Sequence, residues 1–388
     1  MIEPKLRFKA DDGSQFPDWE EKTIDEVAEC LNNKRVPVNS EERKKRVGVI
    51  PYYGAGGIQG YIDDYLFDEE LVLLLEDGDA FDDFQTKSIA QYVTGKSWVN
   101  NHAHVLRANG NSYFLFASLE HKDIRRWTQL AGASRKKLLK DSMLKITINM
   151  PSLAEQQKIA EFLSTIDTVI EKQKETVSAW EERKKGVMQK LFSQEVRFKA
   201  DDGSEFPEWE EKKLGEVFAE RTERSKGGES LLSVTIAQGI VKQSETDKRN
   251  IASENKSNYK IVKKNDLAYN TMRMWQGAEG VSEYDGIVSP AYTVITALDG
   301  NNSYFFETMF KQTFMLQVFQ RYSQGLTSDT WNLKFPAFSE IKCQIPCEDE
   351  QNKIVECVAV LNEVIEKQKA TLAAWEELKK GLLQQMFV

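Results

Sequence analysis

Cysteine and histidine are scarce in this chain of 388 residues, which has four of the first and three of the second. Cys30, Cys343, Cys347 and Cys357 form no CxxC pair and no even framework, so they read as reduced thiols in a cytoplasmic protein rather than as the staples of a secreted domain. A zinc site on Cys343 and Cys347 is not favoured. Long apolar runs are missing as well: nothing would span a bilayer, and nothing reads as a signal peptide. The usual enzyme signatures fail one by one. Gly95, Lys96 and Ser97 resemble the end of a phosphate-binding loop, but Ala90 stands where the upstream glycine belongs and no strand, loop and helix frame the run. Gly54, Gly56, Gly57 and Gly60 miss the dinucleotide spacing, because Gln59 occupies the third glycine's place. No NPPY-like methyltransferase motif and no GxSxG elbow are present.

Charge of one sign is missing locally rather than globally. The net charge of -9 argues at first against nucleic acid, yet acid and base are strongly segregated. Between Asp63 and Asp83 there are ten acids and no Lys or Arg. From Arg107 to Lys145 the sign reverses, and a second basic surplus runs from Arg221 to Arg273. Each half of the chain therefore owns a local basic stretch of the kind that meets phosphate.

What the chain does have is a repeat. LRFKADDGSQFPDWEEKTIDEVAE from Leu6 returns as VRFKADDGSEFPEWEEKKLGEVFAE from Val196, and EQQKIAEFL from Glu155 returns as EQNKIVECV from Glu350. A period of half the chain is too long for a solenoid, so the unit is a half-molecule. Pro151 and the capping-box pattern Ser152 to Glu155 open a predicted helix that runs to about Phe192. Its apolar positions follow a heptad through Ile159, Leu163, Ile166, Ile170, Val177 and Trp180, matched by Ile354, Val358, Leu361, Ile365, Leu372 and Trp375. The same polar residues interrupt both copies, Gln173 and Gln368, then Lys184 and Lys379. A helix of about 40 residues is about 60 Å long, too long for an ordinary core helix. The two most economically pack antiparallel, with Trp180 opposite Ile365, Trp375 opposite Ile170, Lys184 near Leu361 and Lys379 near Ile166. In that register the lysine stems cover the seam and their ammonium groups reach water. Gly186 and Gly381 fall at equivalent exposed positions, where fraying or the close approach of a partner backbone would account for them.

The intervening segments, Cys30 to Met150 and Arg221 to Ile345, match only in pieces and read as mixed α/β. Strands are expected in LVLLLEDGD from Leu71, HVLRANGNSYFLF from His104 and MLKITINMP from Met143, and a helix in SLEHKDIRRWTQLA from Ser118. The second segment answers with strands in IVKKNDLAYNTM, AYTVITALDGNNSYFFE and FSEIKCQIP and a helix in TMFKQTFMLQVFQRY. Four loops carry side chains suited to base edges. TGKSWVNNHAH from Thr94 offers Lys96, Trp98, Asn100, Asn101, His102 and His104; GASRKK from Gly132 offers Ser134, Arg135 and Lys136. NTMRMWQ from Asn270 offers Asn270, Arg273, Trp275 and Gln276; SQGLTSDTWN from Ser323 offers Thr327, Ser328 and Asn332.

These features resemble the specificity subunits of type I restriction-modification systems. The resemblance covers the whole chain and rests on MPSLAEQQKIAEFLSTID from Met150, IPCEDEQNKIVECVAVLN from Ile345, and the helix ends KKGVMQKLF and KKGLLQQMF. PYYGAGGIQGYIDDY, GKSWVNNHAHVL and MWQGAEGVSEYDGIVSPAY are also similar to family recognition domains. The family implies an α/β chain in which two target-recognition domains, 1–151 and 194–346, are held apart by antiparallel coiled-coil helices, 152–193 and 347–388, with pseudo-two-fold symmetry. It implies no catalytic residue and no cofactor in this chain. Two methyltransferase subunits, making an adenine-N6 methyltransferase, and two motor-nuclease subunits would carry S-adenosylmethionine, ATP and magnesium. Each recognition domain would read one half of a split, asymmetric DNA target. Arg125, Arg126, Arg221 and Arg224, with Lys226, would position phosphates, while Asn101, His102, Arg135, Arg273, Gln276 and Asn332 would reach bases. Two other readings compete. One is a non-catalytic coiled-coil scaffold joining two protein-binding heads, favoured by the acidic stretch. The other is a metalloenzyme on His102 and His104, which lacks a third ligand.

Overall fold

The computed structural model describes residues 4–131, 135–236, 238–245 and 255–387. The chain divides into two compact units, Met1–Thr176 with Gln368–Val388, and Val177–Lys367. Both long helices, Leu153–Phe192 and Glu348–Phe387, contribute to both units.

In the first unit an antiparallel sheet runs in the order Ala28–Cys30, Ala103–Ala108, Leu71–Leu75, Ala90–Val93. Leu71–Leu75 is buried at every position, which is why its sequence is an unbroken apolar run rather than an alternation. A second sheet orders Gly57–Ile62, Ile50–Gly54, Lys96–Val99 and Phe67–Asp68, with Ile50–Gly54 parallel to Lys96–Val99. Two antiparallel pairs complete this unit: Glu20–Thr23 with Thr147–Met150, and the hairpin Thr128–Ala131 with Arg135–Leu138. The second unit repeats the first sheet as Phe218–Glu220, Tyr292–Ala297, Leu267–Asn270, Glu279–Val281, and pairs Glu210–Lys213 with Lys342–Ile345. Two further strand pairs among the described residues are Leu232–Thr235 with Gly239–Lys242 and Lys260–Val262 with Gly286–Val288.

Several expected elements shift. NSYFLF and NSYFFE are not strand ends but the helices Ser112–Leu119 and Ser303–Phe310. Asn111 and Asn302 end the preceding turns by accepting from Phe114 N and Tyr304 N, which turns an apolar run into a capped helix. The helix expected from Ser118 stops at Leu119, and its remainder forms a turn and the strand Thr128–Ala131. The helix expected from Thr308 to Tyr322 is broken where Gln312 turns extended (φ -73, ψ 142), leaving Thr313–Tyr322 as a separate helix.

The repeated sequence blocks make the same bonds twice. Glu155, fully buried, accepts from Arg7 Nε (3.1 Å), Arg7 Nη2 (2.9 Å) and Trp19 Nε1 (3.1 Å). Glu350 accepts from Arg197 Nε (3.1 Å), Arg197 Nη2 (2.8 Å) and Trp209 Nε1 (3.1 Å). The next residue, Gln156 or Gln351, donates to Pro151 O or Pro346 O at 2.9 Å and accepts from the backbone N–H of Asn111 or Asn302. The third, Gln157 or Asn352, accepts from the side-chain amide of the same asparagine. The expected capping box is therefore only half formed: Ser152 Oγ accepts from Glu155 N at 3.4 Å, while the Glu155 carboxylate is committed to Arg7 and Trp19.

The helices pair antiparallel within the first unit. Gln173 Nε2 donates to Gln368 Oε1 at 2.8 Å, and Ile166 and Ile170 share an apolar cluster with Leu372, Trp375 and Leu382. In the second unit Met188 and Leu191 cluster with Ile354 and Val358. A half-buried amide pair in an apolar seam fixes register at some cost in stability. Lys379 departs from expectation. Its Nζ lies 3.0 Å from Glu120 and 2.9 Å from Asp167, and the side chain is only 14% exposed. Burial lowers its pKa, but the two carboxylates outweigh it and hold the ammonium above its ordinary value. Asn362 replaces Asp167 and Lys311 replaces Glu120 in the second copy, so this cluster is not repeated. A Cβ built on Gly186 or Gly381 meets nothing within 4 Å, so no close approach within the described chain explains these glycines.

Candidate nucleic-acid interface

The segregation of charge along the first half disappears in space. Arg35 and Lys137 hold Glu76 (2.6 and 3.1 Å), Arg107 holds Glu69 and Glu29, Arg46 holds Asp63, Lys87 holds Asp83, and Lys136 holds Asp82. Burial raises the Glu76 carboxyl, but the Arg35 and Lys137 hydrogen bonds outweigh it and keep it below the usual range. The acidic stretch is thus largely internal counter-charge for the head that contains it. It gives little support to a scaffold reading, and it removes Arg107, Lys136 and Lys137 from any simple tally of free cations.

Several sequence-predicted site residues serve the fold instead. Trp98 is 6% exposed, donates from Nε1 to Val36 O at 2.7 Å, and lies under the Arg46 guanidinium. Asn100 is buried and accepts from His102 N, shaping the turn before strand Ala103–Ala108. His104 is 1% exposed, with Nδ1 at 2.8 Å from Asn32 Nδ2 and Nε2 at 2.8 Å from Leu138 O. Burial drives its pKa down, so it is a neutral core histidine. His102 faces Asp77 at 3.1 Å, so the two imidazoles serve different partners rather than a shared metal. Among the described residues no three His, Cys, Asp or Glu are grouped to hold a metal ion. In the second unit Arg221 is bound to the buried Asp266 at 2.6 and 3.0 Å. Trp98, Asn100, His104 and Arg221 would have to abandon these hydrogen bonds to reach DNA, which is costly.

The remainder stay accessible. Asn101 is exposed, and so is Lys96, whose Nζ lies 4.6 Å above the Tyr65 ring. The Glu76–Gly78 backbone joins the His102 turn to the hairpin: Glu76 N donates to His102 O, Leu138 N to Glu76 O, and Gly78 N to Lys136 O. Asn101 and His102 are thereby brought beside the strand that carries Arg135 and Lys136. Arg125, paired with Asp123, and Arg126, stacked 3.7 Å over Trp127, stand at the hairpin's entrance. Ser134 lies outside the described residues, and Arg135 is placed by its backbone alone.

The second unit brings its two candidate loops together. Leu333 N donates to Thr271 O at 2.8 Å, and the Trp275 and Trp331 rings meet edge to face at 5.1 Å. Gln276, Thr327 and Ser328 are exposed, Arg273 and Asn332 half-buried. Asn270 accepts from Met272 N at 3.0 Å, setting the turn that displays Arg273. Arg224 and Lys226 are exposed on a neighbouring segment, where Arg224 Nη1 donates to Asn258 O at 2.8 Å. Between Thr271, Asn332, Lys334 and the Glu220–Lys260 ion pair lies a cleft of about 350 Å³. Sequence reasoning did not single out Met272, Leu326 or Trp331, which lie on these same two loops.

The decisive comparison concerns the repeated framework. Residues 17–178 and 207–374 each match the family described as type I restriction modification DNA specificity domain. The chain belongs to that family. Each matched stretch contains one copy of the Trp, Asn, Glu and Gln positions of the repeated framework. The chain is similar to a putative type I restriction enzyme specificity subunit of Haemophilus influenzae, with 40% identity over 40% of this chain and 38% of the relative. It is also similar to the MjaVIII specificity subunit of Methanocaldococcus jannaschii, with 29% identity over 54% of this chain and 52% of the relative. The matched stretches thus span about half or less of these relatives' own length. The fold is similar to a solved type I S subunit from M. genitalium, with a TM-score of 0.62 at 15% identity, covering 100% of this chain and 99% of that one. A second similar fold, with a TM-score of 0.50 at 15% identity over 95% of this chain and 97% of that one, comes from work on complex assembly and conformational transition of the type I R-M system. Among the described residues no helix is long and apolar enough to cross a membrane.

Proposed function

We propose that this specificity subunit reads a bipartite, asymmetric DNA target, one half-site per head, and carries no catalytic group of its own. The observation that supports this most strongly is the contrast between framework and loops. The Arg–Glu–Trp clamp and the Asn–Gln lock recur bond for bond in both units. The candidate loops share almost nothing in sequence, 94–104 and 132–137 in one half and 270–276 and 323–332 in the other. Two unlike readers on one repeated mount suit two unlike half-sites. Target-recognition domains at 1–151 and 194–346, with spacers at 152–193 and 347–388, fit this reading.

The repeated framework is also the natural dock for identical partners. On this proposal two methyltransferase subunits, and two motor-nuclease subunits beyond them, supply S-adenosylmethionine, ATP and magnesium chemistry, and the chain works in the cytoplasm. Arg126, Arg224 and Lys226 position the phosphate backbone; Asn101, Arg273 and Gln276 approach base edges. Binding of the chain to random duplexes across a salt series tests the DNA reading. Each neutralised phosphate contributes a slope of about -0.9 in log affinity against log salt. A slope of several is expected; a flat response would leave the scaffold reading standing.

A further inference from the structure

The loop from Ser323 to Asn332 contains no lysine or arginine, so it is poorly suited to phosphate, yet it is held as a built element. Gln324 and Asn332 exchange backbone hydrogen bonds at 3.0 and 2.8 Å across its base. Within it Thr327 N donates to Thr330 Oγ1 at 3.1 Å, and Trp331 N to Thr327 O at 3.1 Å. Gly325 has φ +139, and a Cβ there would sit 2.6 Å from Thr330 O, so glycine is required for the turn. This construction presents Leu326 at 100% exposure. The same loop carries Trp331, whose ring meets Trp275 edge to face, and Trp275 Nε1 donates to the backbone oxygen of Met272, which is 41% exposed.

A single exposed leucine is ordinary on any protein surface. Here the leucine stands on a glycine-dependent turn, flanked by Thr327, Ser328 and Asp329, which can exchange hydrogen bonds with bases. We propose that Leu326 is a specificity-determining residue of the second head, making an apolar contact with the bases of its half-site. The contact is with a thymine methyl in the major groove or between base steps, where leucine is a known type of wedge. This rests on the DNA-reading proposal and assigns to one residue a part of the readout that polar side chains cannot supply.

The test uses the complex of the full chain with its methyltransferase partner, as wild type, Leu326→Ala and Leu326→Asn. Affinity and methylation are measured on the cognate duplex and on duplexes altered singly at each position of both half-sites. Leu326 makes no packing contact worth losing, so unchanged thermal unfolding checks the fold. Leu326→Ala is expected to bind the cognate duplex roughly tenfold more weakly and to lose preference at one position of one half-site only. A thymine methyl contact is revealed when uracil at that position weakens wild type and not the variant. A wedge is revealed by 2-aminopurine fluorescence that rises with wild type and not with Leu326→Ala. Unchanged discrimination in both variants, or an equal loss on every duplex, would overturn the assignment. If the wild-type complex itself showed no two-part preference, the DNA-reading proposal would be what had failed.

Discussion

Replacing Glu350 by alanine probes the repeated clamp where it can be measured against its own copy. Glu350 is 1% exposed and receives three hydrogen bonds, two from Arg197 and one from Trp209. Removing one member of a buried pair costs about 3–5 kcal/mol because the other charge is stranded. Arg197 keeps 17% of its side chain exposed, so part of its charge can rehydrate. The lower end, about 3 kcal/mol, is therefore expected, or roughly a hundredfold in the local opening equilibrium. Native-state hydrogen exchange reads this out at the start of the helix Glu348–Phe387 and in strand Glu210–Lys213, while the equivalent strand Glu20–Thr23 and the Glu155 clamp act as internal control. The triple change Arg197→Met, Glu350→Leu, Trp209→Phe removes both buried charges together, leaving the Phe206 and Pro207 carbonyls without their Arg197 donor, and should cost less than Glu350→Ala alone, since no charge is stranded. A loss below about 1 kcal/mol for the single change, or a triple variant worse than the single, would refute the clamp as argued.

Two further expectations follow from particular residues. Gly186→Ala and Gly381→Ala fill open space on helices, so each should stabilise the isolated chain by up to about 1 kcal/mol; a lowered thermal midpoint would show that the glycines are needed where no described neighbour requires them. Glu279 is fully buried, neither carboxyl oxygen has a hydrogen-bond partner among the described residues, and burial raises its pKa well above the ordinary value despite Lys311 at 3.8 Å. Burial lowers the Lys311 pKa, but Glu279 and Glu307, the latter at 2.8 Å, outweigh it and hold the ammonium above its ordinary value. Because the folded pKa is raised, the unfolded chain releases this proton first. Stability should then fall, by roughly 1 kcal/mol per pH unit, as pH rises above the unfolded carboxyl value toward the folded one. Glu279→Gln should flatten that fall when denaturant midpoints are measured from pH 5 to 8; an unchanged slope contradicts it.

The parts legible in the sequence were those set by repetition and by period. The heptads from Ile159 and Ile354 gave the long helices because a 3.5-residue pattern kept over many turns has few other solutions. The repeated Glu155 and Glu350 marked a structural position, although the sequence suggested a capping box at Glu155 and the structure uses both as acceptors for Arg7 and Arg197. NSYFLF misled because a short apolar run after a strand is ambiguous until the Asn111 cap is weighed. In the candidate loops, residue type was legible and accessibility was not. Trp98 and His104 carry polar atoms that looked available, and only the fold shows that Val36 O and Leu138 O claim them. Charge was misleading for the same reason: ion pairs such as Arg35–Glu76 join residues distant in sequence.

Mapping modified bases across the genome of cells that express this chain with the proposed methyltransferase subunits tests the central proposal most directly. Two unlike readers on one repeated mount require modified adenines within a two-part motif whose halves differ and are separated by unread bases. Modification without a sequence motif, or within a single contiguous motif, would contradict the account.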